Sequence, residues 1–573
     1  MQKIWKIKKS APSEFLKKFP EYQKITLQML WDRGLKTQKE IDEFFSPDYD
    51  QDLHDPFLLK DVKKTLKRIK QAAKSHEKVA IFADYDADGI CGAVLLHEVL
   101  EIYNINPEVY IPDRNSEGYG LNLKAVEQIS KGGVKLILTI DCGITDVEEV
   151  KLANELNIDV IIIDHHKILT SSAGRPKLPA AFAIVNPKQK KCKYPFKELA
   201  GAGVAFKLFQ AARITKNLPV SREKWLLDLA AIATITDSML ILGENRTIVK
   251  YGLIVLSQTK RLGLQALMEK ARIKGNLNTY TIGFILGPRI NAASRVDHGT
   301  IAFRLLLSKD KIEAGELADS LELKNQERQR QMEKIFKEAR IRALKTQNKK
   351  KIIFEADETW TSGLAGLIAQ KLKDEFWRPA FICQLSKNHA VCSARGGVAG
   401  FNVIDALDRC KGLLEEYGGH PFAGAFRADV CNLGKIQKIL EKTANKKLKK
   451  EDIAPFLNID SEIEADEINW KVFEEIERFQ PFGSNNAAPL FVMRKLKIIG
   501  MKNVGSRENH LKLCLEKETK EGIKKFSAIG FNLVNSCAKI ELGDKIDIAF
   551  EILANEWNNT KELEFKIMDL KKI

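Results

Sequence analysis

The sequence predicts an α/β protein whose largest domain contains a mostly parallel sheet, and three features support this fold class. Between residues 78 and 307, short apolar runs alternate with helical stretches, which is the pattern of βαβ units. Several of these runs end directly in aspartates. Beyond residue 450, short alternating strands with few helices predict a small β-barrel. At 573 residues the chain exceeds one ordinary hydrophobic core, so we expect several domains.

The chain begins with a segment that we predict to be a helical lead-in, residues 1–75. Prolines interrupt it, and residues 58–74 have the pattern of one basic amphipathic helix. We assign no chemistry to this segment.

The first strand of the parallel sheet is predicted at residues 79–83 and ends in the acidic sequence Asp84-Tyr-Asp-Ala-Asp-Gly89. Side chains alternate along an extended segment, so Asp84, Asp86 and Asp88 can emerge on one side. Three like charges that close together need a cation to stay ionised. For this motif alone, a solvated acidic turn is an equally good interpretation.

Three later segments repeat this design. Predicted strands at 136–140 and 160–163 end in Asp141-Cys-Gly143 and Asp164-His-His166, and a more helical apolar run, 229–236, ends at Asp237. Ligands of parallel α/β sheets lie at the carboxyl ends of the strands, so these termini can converge on one crevice. Carboxylates with imidazole suit two divalent ions, Mn²⁺ or Mg²⁺. A chance arrangement of all four segments is the weaker interpretation.

The rest of the predicted catalytic domain, residues 76–310, supplies candidate phosphate contacts. A strand at 108–111 leads into a loop rich in turn-forming residues, where Arg114 can grip two phosphate oxygens or remain solvated. The segment 287–295 is predicted to be a loop of small residues that allows a ligand to approach the backbone. In it, we interpret Arg289 as a contact to substrate phosphate and Asn291 as a phosphate partner or support. A structural turn is the alternative.

Two further domains are predicted beyond residue 310. Residues 311–348 lack proline and favour one long exposed helix, which would connect two lobes. Residues 349–450 are predicted to form a second α/β domain, in which Ser393 and Arg395 lie beside glycines and have the composition of an anion-binding nest. His420 also follows glycines, where it either contacts a phosphate or makes a structural hydrogen bond. Residues 451–573 are the predicted barrel, and an OB-fold would give a basic groove for single strands.

The overall composition is that of a basic protein with acidic sites. The 92 Lys and Arg residues exceed the 76 acidic residues and give a net charge of +16, which favours a polyanionic partner. The nine cysteines are scattered without a C-x-x-C pair, so we expect them to be reduced. No signal-like segment or run of membrane-spanning length is present, and we expect a cytoplasmic protein that does not associate with membranes.

These motifs together resemble the DHH phosphoesterase superfamily and, within it, the RecJ family of single-strand-specific 5′ exonucleases. The resemblance rests on the aspartate and histidine series from Asp84 to Asp237. It extends to Pro112-Asp-Arg114, Gly287-Pro-Arg-Ile-Asn-Ala-Ala-Ser-Arg295, Gly418-Gly-His420 and Pro481-Phe-Gly483, and so spans nearly the whole chain. It implies a DHH domain, a connecting helix, a DHH-associated domain and a C-terminal OB-fold.

The resemblance also implies the reaction and the roles of the site residues. The expected activity is 5′-to-3′ degradation of single-stranded DNA to nucleoside 5′-monophosphates by two-metal-ion hydrolysis, in DNA repair and recombination. Asp141 would bridge the ions and Asp86, Asp88, His165 and Asp237 would complete their ligands, while Asp84 and Asp164 would hold these ligands in place. His166 would neighbour the ligands, stabilise the developing charge or protonate the leaving oxygen. Ser393 and Arg395 would hold the terminal 5′ phosphate.

Two other functions stay open at this stage. The same metal motifs serve phosphodiesterases of cyclic dinucleotides or very short oligonucleotides, and some relatives keep the fold as non-catalytic single-strand-binding replication proteins. The barrel disfavours the first alternative, and the presence of every proposed ligand disfavours the second. The expected partners are single-stranded DNA, a single-strand-binding protein and a helicase, and the expected oligomeric state is a monomer.

Overall fold

The computed structural model describes residues 3–114, 116–169, 176–346, 349–398, 400–534, 540–557 and 560–573. The chain forms two compact units. The larger comprises residues 48–453, and the smaller combines residues 1–47 with residues 454–573. The predicted lead-in is therefore divided between the two units, and the domain boundaries proposed within the larger unit stay predictions.

The larger unit is built around a five-stranded parallel sheet. Its strands, in spatial order, are Glu108–Tyr110, Lys78–Ala83, Val134–Ile140, Asp159–Ile163 and Ala183–Val185. Both faces of the sheet are buried: Val79 and Ile81 point into one apolar cluster, whereas Ala80 and Phe82 point into another. Strands covered on both sides have continuous apolar sequences rather than alternating ones, which explains why these runs were recognisable.

Helices cover this sheet and surround its carboxyl edge. They are Val62–Lys74, Ala87–Glu101, Leu123–Lys131, Val147–Glu155, Gly201–Thr215, Val220–Lys224, Leu227–Thr236, Gly243–Ser257, Leu262–Lys270, Gly287–Val296 and Thr300–Leu307. A π-helix, Thr281–Leu286, continues into the helix Gly287–Val296. The prediction of a small-residue loop at 287–295 is therefore wrong. Pro288 lies at the start of the α-helix, directly after the π-helix.

The long helix Lys311–Thr346 leads from this region to the second α/β part of the same unit. There a mixed five-stranded sheet has the order Glu416–His420, Ala423–Asp429, His389–Arg395, Ala380–Leu385 and Ile353–Asp357. Its first pairings are antiparallel and the last, between Ala380–Leu385 and Ile353–Asp357, is parallel. The helices Ser362–Phe376, Val403–Asp408 and Leu433–Lys447 belong to this part.

The smaller unit contains a closed β-barrel, which agrees with the predicted OB-fold. Its strands Phe491–Val504, His510–Thr519, Gly522–Gly530, Thr560–Lys572 and Lys545–Trp557 pair in that order, and the last pairs back to the first. The N-terminal residues belong to this unit, because the strand Ile4–Ile7 pairs in parallel with Phe456–Ile459. The helices Ser13–Lys18, Lys24–Asp32, Gln38–Phe45 and Trp470–Glu477 complete it.

Two expectations drawn from composition concern the state of the cysteines and the absence of membrane-spanning helices. Cys383 and Cys392 lie directly opposite each other on neighbouring strands and form a disulfide, so the expectation that all cysteines are reduced is wrong at this pair. Six other cysteines are free thiols, and Cys537 lies outside the described residues. Among the described residues, no helix combines the length and apolar character needed to cross a bilayer.

Candidate metal centre

A cluster of aspartates and histidines lies at the carboxyl edge of the parallel sheet, as the sequence predicted. Asp84, Asp141 and Asp164 each follow a strand directly, and their backbone amides donate to the last residue of a neighbouring strand. The acceptors are the carbonyl oxygens of Ile140, Ile163 and Val185, at 3.2, 3.0 and 3.1 Å. The sheet ladder therefore extends one residue further and fixes where each aspartate begins.

Asp86 and Asp88 are positioned by helix starts. Asp86 is the N-cap of the helix Ala87–Glu101, and its side chain accepts hydrogen bonds from the amides of Asp88 and Gly89. Asp88 accepts the amides of Gly201 and Ala202, at 2.7 and 2.6 Å, at the start of the helix Gly201–Thr215. Helix N-termini stabilise negative charge, so both carboxylates lie where the fold favours an anion.

Asp141 is held in a strained position at the centre of the cluster. Its φ of 60° lies in the left-handed region, which few residues other than glycine adopt. Its Oδ1 is 3.2 Å from Nε2 of His165. Backbone strain of this kind persists where the surrounding structure imposes it, and it is frequent at functional sites.

His165 joins Asp141 to two further carboxylates. Its Nε2 lies 3.7 Å from Oδ2 of Asp88 and 3.5 Å from Oδ2 of Asp237, which follows the helix Leu227–Thr236. Burial, and then the charge of His166, lowers the pKa of His165 to about 3. A neutral imidazole ring surrounded by carboxylates is a suitable metal ligand.

Asp164 and His166 form a separate pair beside the cluster. Asp164 accepts hydrogen bonds from the amides of His165, His166 and Ile144, and from Nδ1 of His166 at 2.8 Å. Burial alone would raise the pKa of Asp164, but the His166 hydrogen bond and charge lower it below its ordinary value. Both of its oxygens are engaged, so Asp164 fits the predicted role of holding the histidines in place. Tyr119 supports this pair, because its hydroxyl lies 3.2 Å from Nδ1 of His166.

The electrostatics of the cluster indicate a site built for cations. Burial, and then the charge of Asp86, raises the pKa of Asp88 to about 7. Burial and then the charge of Asp88 raise the pKa of Asp237 to about 8 and that of Asp141 well above its ordinary value. These carboxyl groups would hold protons without a counter-charge, and a bound divalent cation replaces those protons.

Unpartnered atoms support the same conclusion. Oδ1 of Asp84, Oδ1 of Asp141 and Nε2 of His165 are buried and make no hydrogen bond to any described residue. Buried polar atoms of this kind are costly unless something binds them. Oxygen-rich ligands with one imidazole fit Mn²⁺ or Mg²⁺, so the residues present suit the expected ions.

The ligand atoms fall into three overlapping groups that could each hold an ion. These groups are Asp84 with Asp86 and Asp141, Asp88 with His165 and Asp237, and Asp141 with His165 and His166. Asp84 thus lies among the candidate ligands rather than behind them. The family resemblance implied a supporting role for Asp84, and spacing alone does not distinguish a ligand from its support when three aspartates alternate.

A group of arginines lies near the metal centre within the same unit. The charge of Arg114 is one cause of the lowered pKa of both Arg295 and Arg395, after burial in each case. For Arg295, the combined effect lowers the pKa to about 9. Arg114 also lies over the ring of Tyr85, with its guanidinium carbon 4.6 Å from the ring centroid. Cations that approach one another in a buried region favour a bound anion. Arg295 ends the segment 287–295, but the sequence analysis did not include it among the candidate phosphate contacts.

Arg289 and Asn291, the two candidate phosphate contacts in the segment 287–295, both make contacts within the fold. Arg289 donates to Glu322 of the connecting helix at 2.7 Å and to the carbonyl oxygen of Ile285 at 2.8 Å. Oδ1 of Asn291 accepts the amide of Ala87 at 2.7 Å, directly beside the Asp86 and Asp88 carboxylates. Asn291 therefore fits the predicted supporting role. Sequence could not reveal the Glu322 partner, which is 33 positions away along the chain.

Ser393, Arg395 and His420 lie in two strands of the second sheet that are separated by the strand Ala423–Asp429. Ser393 and Arg395 are in the strand His389–Arg395, and His420 ends the strand Glu416–His420. Burial, and then the charge of His166, lowers the pKa of His420, which indicates that His420 lies on the side of the metal centre. His420 thus lies at the end of a strand, and the predicted phosphate contact stays a prediction.

Gly201 provides a test of the ligand geometry. A Cβ atom at this position would lie 2.9 Å from Cβ and 3.0 Å from Oδ1 of Asp141, and the backbone amide also holds Asp88. We expect Gly201→Ala to weaken Mn²⁺ binding by about 10- to 100-fold, because it displaces a central ligand without removing one. Isothermal titration with Mn²⁺ measures this.

The matched control is Gly203→Ala, two positions further along the same helix. A Cβ there would lie 3.4 Å from Cβ of Leu199, an ordinary packing distance. We expect this variant to bind Mn²⁺ as the unmodified protein does. Equal affinities for the two variants would mean that Asp141 is not a ligand, or that the helix start moves freely.

The model of the DHH family N-terminal domain matches residues 78–234, and that of the RecJ OB domain matches residues 459–569. The chain is 36% identical to the single-stranded-DNA-specific exonuclease RecJ of Bacillus subtilis over 549 residues, which cover 95% of this chain and 67% of that protein. It is 28% identical to the RecJ of Haemophilus influenzae, covering 93% of this chain and 94% of that protein. The crystal structure of Thermus thermophilus RecJ with Mn²⁺ matches with a TM-score of 0.84 and 25% identity, over all of this chain and 80% of the other.

Proposed function

This chain belongs to the RecJ family of single-stranded-DNA-specific exonucleases, and on that premise we propose that it removes nucleoside 5′-monophosphates from the 5′ end of single-stranded DNA by two-metal-ion hydrolysis. One observation carries the proposal. Asp141 belongs to the group formed with Asp84 and Asp86, and it also lies 3.2 Å from His165 of the other group. A carboxylate in that position can serve two ions at once.

The proposed ligand sets follow from this position. Asp84, Asp86 and Asp141 would hold one ion, and Asp88, Asp141, His165 and Asp237 would hold the other. When bound, such ions neutralise the charge of the phosphodiester and provide a nucleophilic water at neutral pH. The burial of the carboxylates contributes by keeping competing water away and by making each charge interaction stronger.

His166 is proposed to act on the substrate rather than on an ion. Its Nδ1 is engaged by Asp164, whose lowered pKa keeps that carboxylate ionised, so Nδ1 carries the donated hydrogen. The remaining nitrogen, Nε2, is the one available to the substrate. Although burial opposes it, the Asp164 hydrogen bond and charge raise the pKa of His166 to about 9. A protonated ring can stabilise charge on the phosphate and donate a proton to the leaving oxygen.

The arginine group is proposed to bind the terminal 5′ phosphate, which would restrict cleavage to chain ends. Arg114 and Arg395 would supply positive charge. Ser393, two positions before Arg395 in the same strand, would supply a hydroxyl. Guanidinium groups grip phosphate oxygens in pairs and are therefore suited to a terminal phosphate with three free oxygens. Arg295 adds charge to the same region. Arg289 is reassigned, since its pairing with Glu322 makes it a fixed part of the fold.

Product analysis by end-labelling tests the proposed reaction. A 5′-phosphorylated single strand labelled at either end, and its duplex as control, are incubated with Mn²⁺ or with a chelator. We expect labelled mononucleotide to leave first from the 5′ end, only from the single strand and only with metal. Release that begins at the 3′ end would contradict the proposed polarity.

The two alternative functions predict different behaviour. A phosphodiesterase of cyclic dinucleotides or very short oligonucleotides would consume those substrates and leave long strands intact. A non-catalytic single-strand-binding protein would bind long strands and release nothing. Neither is favoured here, because the complete ligand set accompanies a barrel of the type that binds single strands.

The barrel-containing unit is proposed to increase affinity for long strands. Because residues 1–47 belong to that unit, the informative fragment is residues 48–453 rather than a C-terminal deletion alone. We expect this fragment to cleave short single strands and to bind strands of about 30 nucleotides at least 10-fold more weakly than the full chain. Fluorescence anisotropy at fixed salt measures the affinity, with a strand of about 6 nucleotides as the matched control. Undiminished affinity for the long strand would remove the barrel from substrate binding.

The cellular setting is likewise proposed. An enzyme restricted to single strands needs a duplex to be opened first, which supports a helicase and a single-strand-binding protein as partners. We also propose a monomeric enzyme that acts in the cytoplasm in repair and recombination.

A further inference from the structure

Phe422 is an aromatic residue whose exposure the fold does not explain. It lies in the turn between the strands Glu416–His420 and Ala423–Asp429, and 69% of its surface is exposed. Single exposed apolar residues are common, so exposure alone does not indicate a function. Phe422 also lies beside Arg395, and from this position we propose that its ring is the stacking platform for the 5′-terminal base of the substrate. This proposal rests on the proposed exonuclease function.

The backbone fixes Phe422 next to the proposed phosphate site. Ala423 is paired with Arg395 across neighbouring antiparallel strands. In addition, the amide of Gly396 donates to the carbonyl oxygen of Phe422 at 2.7 Å. The ring therefore belongs to a residue that is hydrogen-bonded to the segment immediately after Arg395. A group bound by Arg395 and a group lying on the ring can be parts of one nucleotide.

Glycine leaves open space at the edge of this ring. A Cβ atom at Gly397 would lie 3.6 Å from Cδ1 of Phe422 and 4.0 Å from Nζ of Lys373, and Gly397 has a φ of +86°. A larger residue would be strained there and would fill the space beside the ring. Lys373 also lies at this place, and its Nζ is paired with Asp374 at 2.9 Å.

The other end of the turn faces the metal centre. His420, which precedes Pro421 and Phe422, is close enough to His166 for its pKa to be lowered by that charge, after burial. The turn 420–423 therefore joins a residue within reach of the His166 charge to the residue that is hydrogen-bonded to the segment after Arg395. In the proposal the terminal nucleotide lies along this turn, because its own phosphate and the scissile phosphate flank its sugar and base.

Stacking is the interaction that a base in this position would use. Every base has a π-face, so an aromatic platform holds the terminal base without reading the sequence, as an exonuclease requires. Alanine substitution of such platforms weakens binding by about 5- to 150-fold per base. In the proposed position the ring contacts the terminal base and not the scissile phosphate, so Phe422 is a positioning residue whose effect we expect in KM rather than in kcat.

A double-mutant cycle between protein and substrate tests the proposal. The full chain and its Phe422→Ala variant are each assayed on two 5′-phosphorylated single strands, one normal and one with an abasic terminal nucleotide. We expect Phe422→Ala to raise KM about 10-fold on the normal strand and to leave KM on the abasic strand unchanged. Phe422→Trp should restore the KM of the unmodified protein on the normal strand.

Controls separate this inference from its premise. Phe284→Ala removes a ring that is equally exposed, at 70%, and stacked on Tyr280 instead. It should change KM equally, if at all, on the two strands. An equal effect of Phe422→Ala on both strands would overturn the stacking role. Failure of the unmodified protein to degrade the normal strand would instead overturn the proposed function.

Discussion

Replacing Asp141 with asparagine should reduce hydrolysis of single-stranded DNA by about 10³-fold or more while leaving single-strand binding measurable. The amide keeps the size of the side chain but removes the charge that two ions would share. Asp141 is buried, its Oδ1 accepts no hydrogen bond from a described residue, and it lies between both ligand groups. The loss of hydrolytic activity should therefore be larger than the loss caused by replacing any ligand of a single ion.

Three measurements make this prediction specific. Steady-state rates on an end-labelled strand give the activity, anisotropy gives DNA affinity, and titration calorimetry gives the number of bound Mn²⁺ ions. We expect the variant to lose at least one ion and to retain DNA binding. Turnover above about one-tenth of the unmodified rate would remove the bridging role.

Asp146→Asn is the matched control for Asp141→Asn. Asp146 is an aspartate of the same domain that is only partly buried, and burial raises its pKa to about 6. Its carboxylate accepts hydrogen bonds from the Leu121 amide and the Thr145 hydroxyl and belongs to none of the candidate ion-binding groups. The asparagine oxygen can keep the bond from the Leu121 amide and loses only the bond from the Thr145 hydroxyl, so this variant should keep most of its activity.

The fold was predictable wherever local pattern decides it. The runs before Asp84, Asp141 and Asp164 are strands because both faces of the sheet are buried, and burial on both faces leaves a visible apolar run. The short strand Ala183–Val185 was not predicted, and it does not end in an acidic residue that would mark it. The pairing of Ile4–Ile7 with Phe456–Ile459 was not predicted either, since no local signal connects segments about 450 positions apart.

The metal cluster was predictable for a related reason. Parallel strands bring their carboxyl ends to one edge, so residue types at strand ends suffice to bring Asp141, Asp164 and the acidic motif together. What sequence cannot give is the use of each side chain. The ion pair of Arg289 with Glu322, and the amide that Ala87 donates to Asn291, arise from tertiary packing of the segment 287–295, which the sequence predicted to be a loop and which is a helix. Gly201 was missed because its importance lies in an atom that it lacks.

Replacing Arg395 with methionine should remove the preference of the enzyme for a 5′-phosphorylated end. We expect kcat/KM on the phosphorylated strand to fall by about 30-fold or more, which is the effect of deleting one partner of a buried charge pair. On a strand with a 5′-hydroxyl end the loss should be much smaller, because the proposed partner of the guanidinium is then absent. Competition between the two strands in one reaction measures the ratio directly.

Gly366→Ala and Arg427→Met distinguish the position of this charge from its presence. A Cβ at Gly366 would lie 2.8 Å from Nη2 of Arg395, so the alanine should displace the guanidinium and reproduce part of the loss. Arg427 lies in the neighbouring strand, half exposed and paired with Glu415, and its loss should leave the end preference intact. If Arg395→Met lowered activity equally on both ends, Arg395 would support the fold or the DNA path without recognising the terminus. A loss of activity confined to the 5′-phosphorylated strand would instead show that Arg395 recognises the terminal phosphate. Arg395 would then be the residue that directs cleavage by the metal site to chain ends.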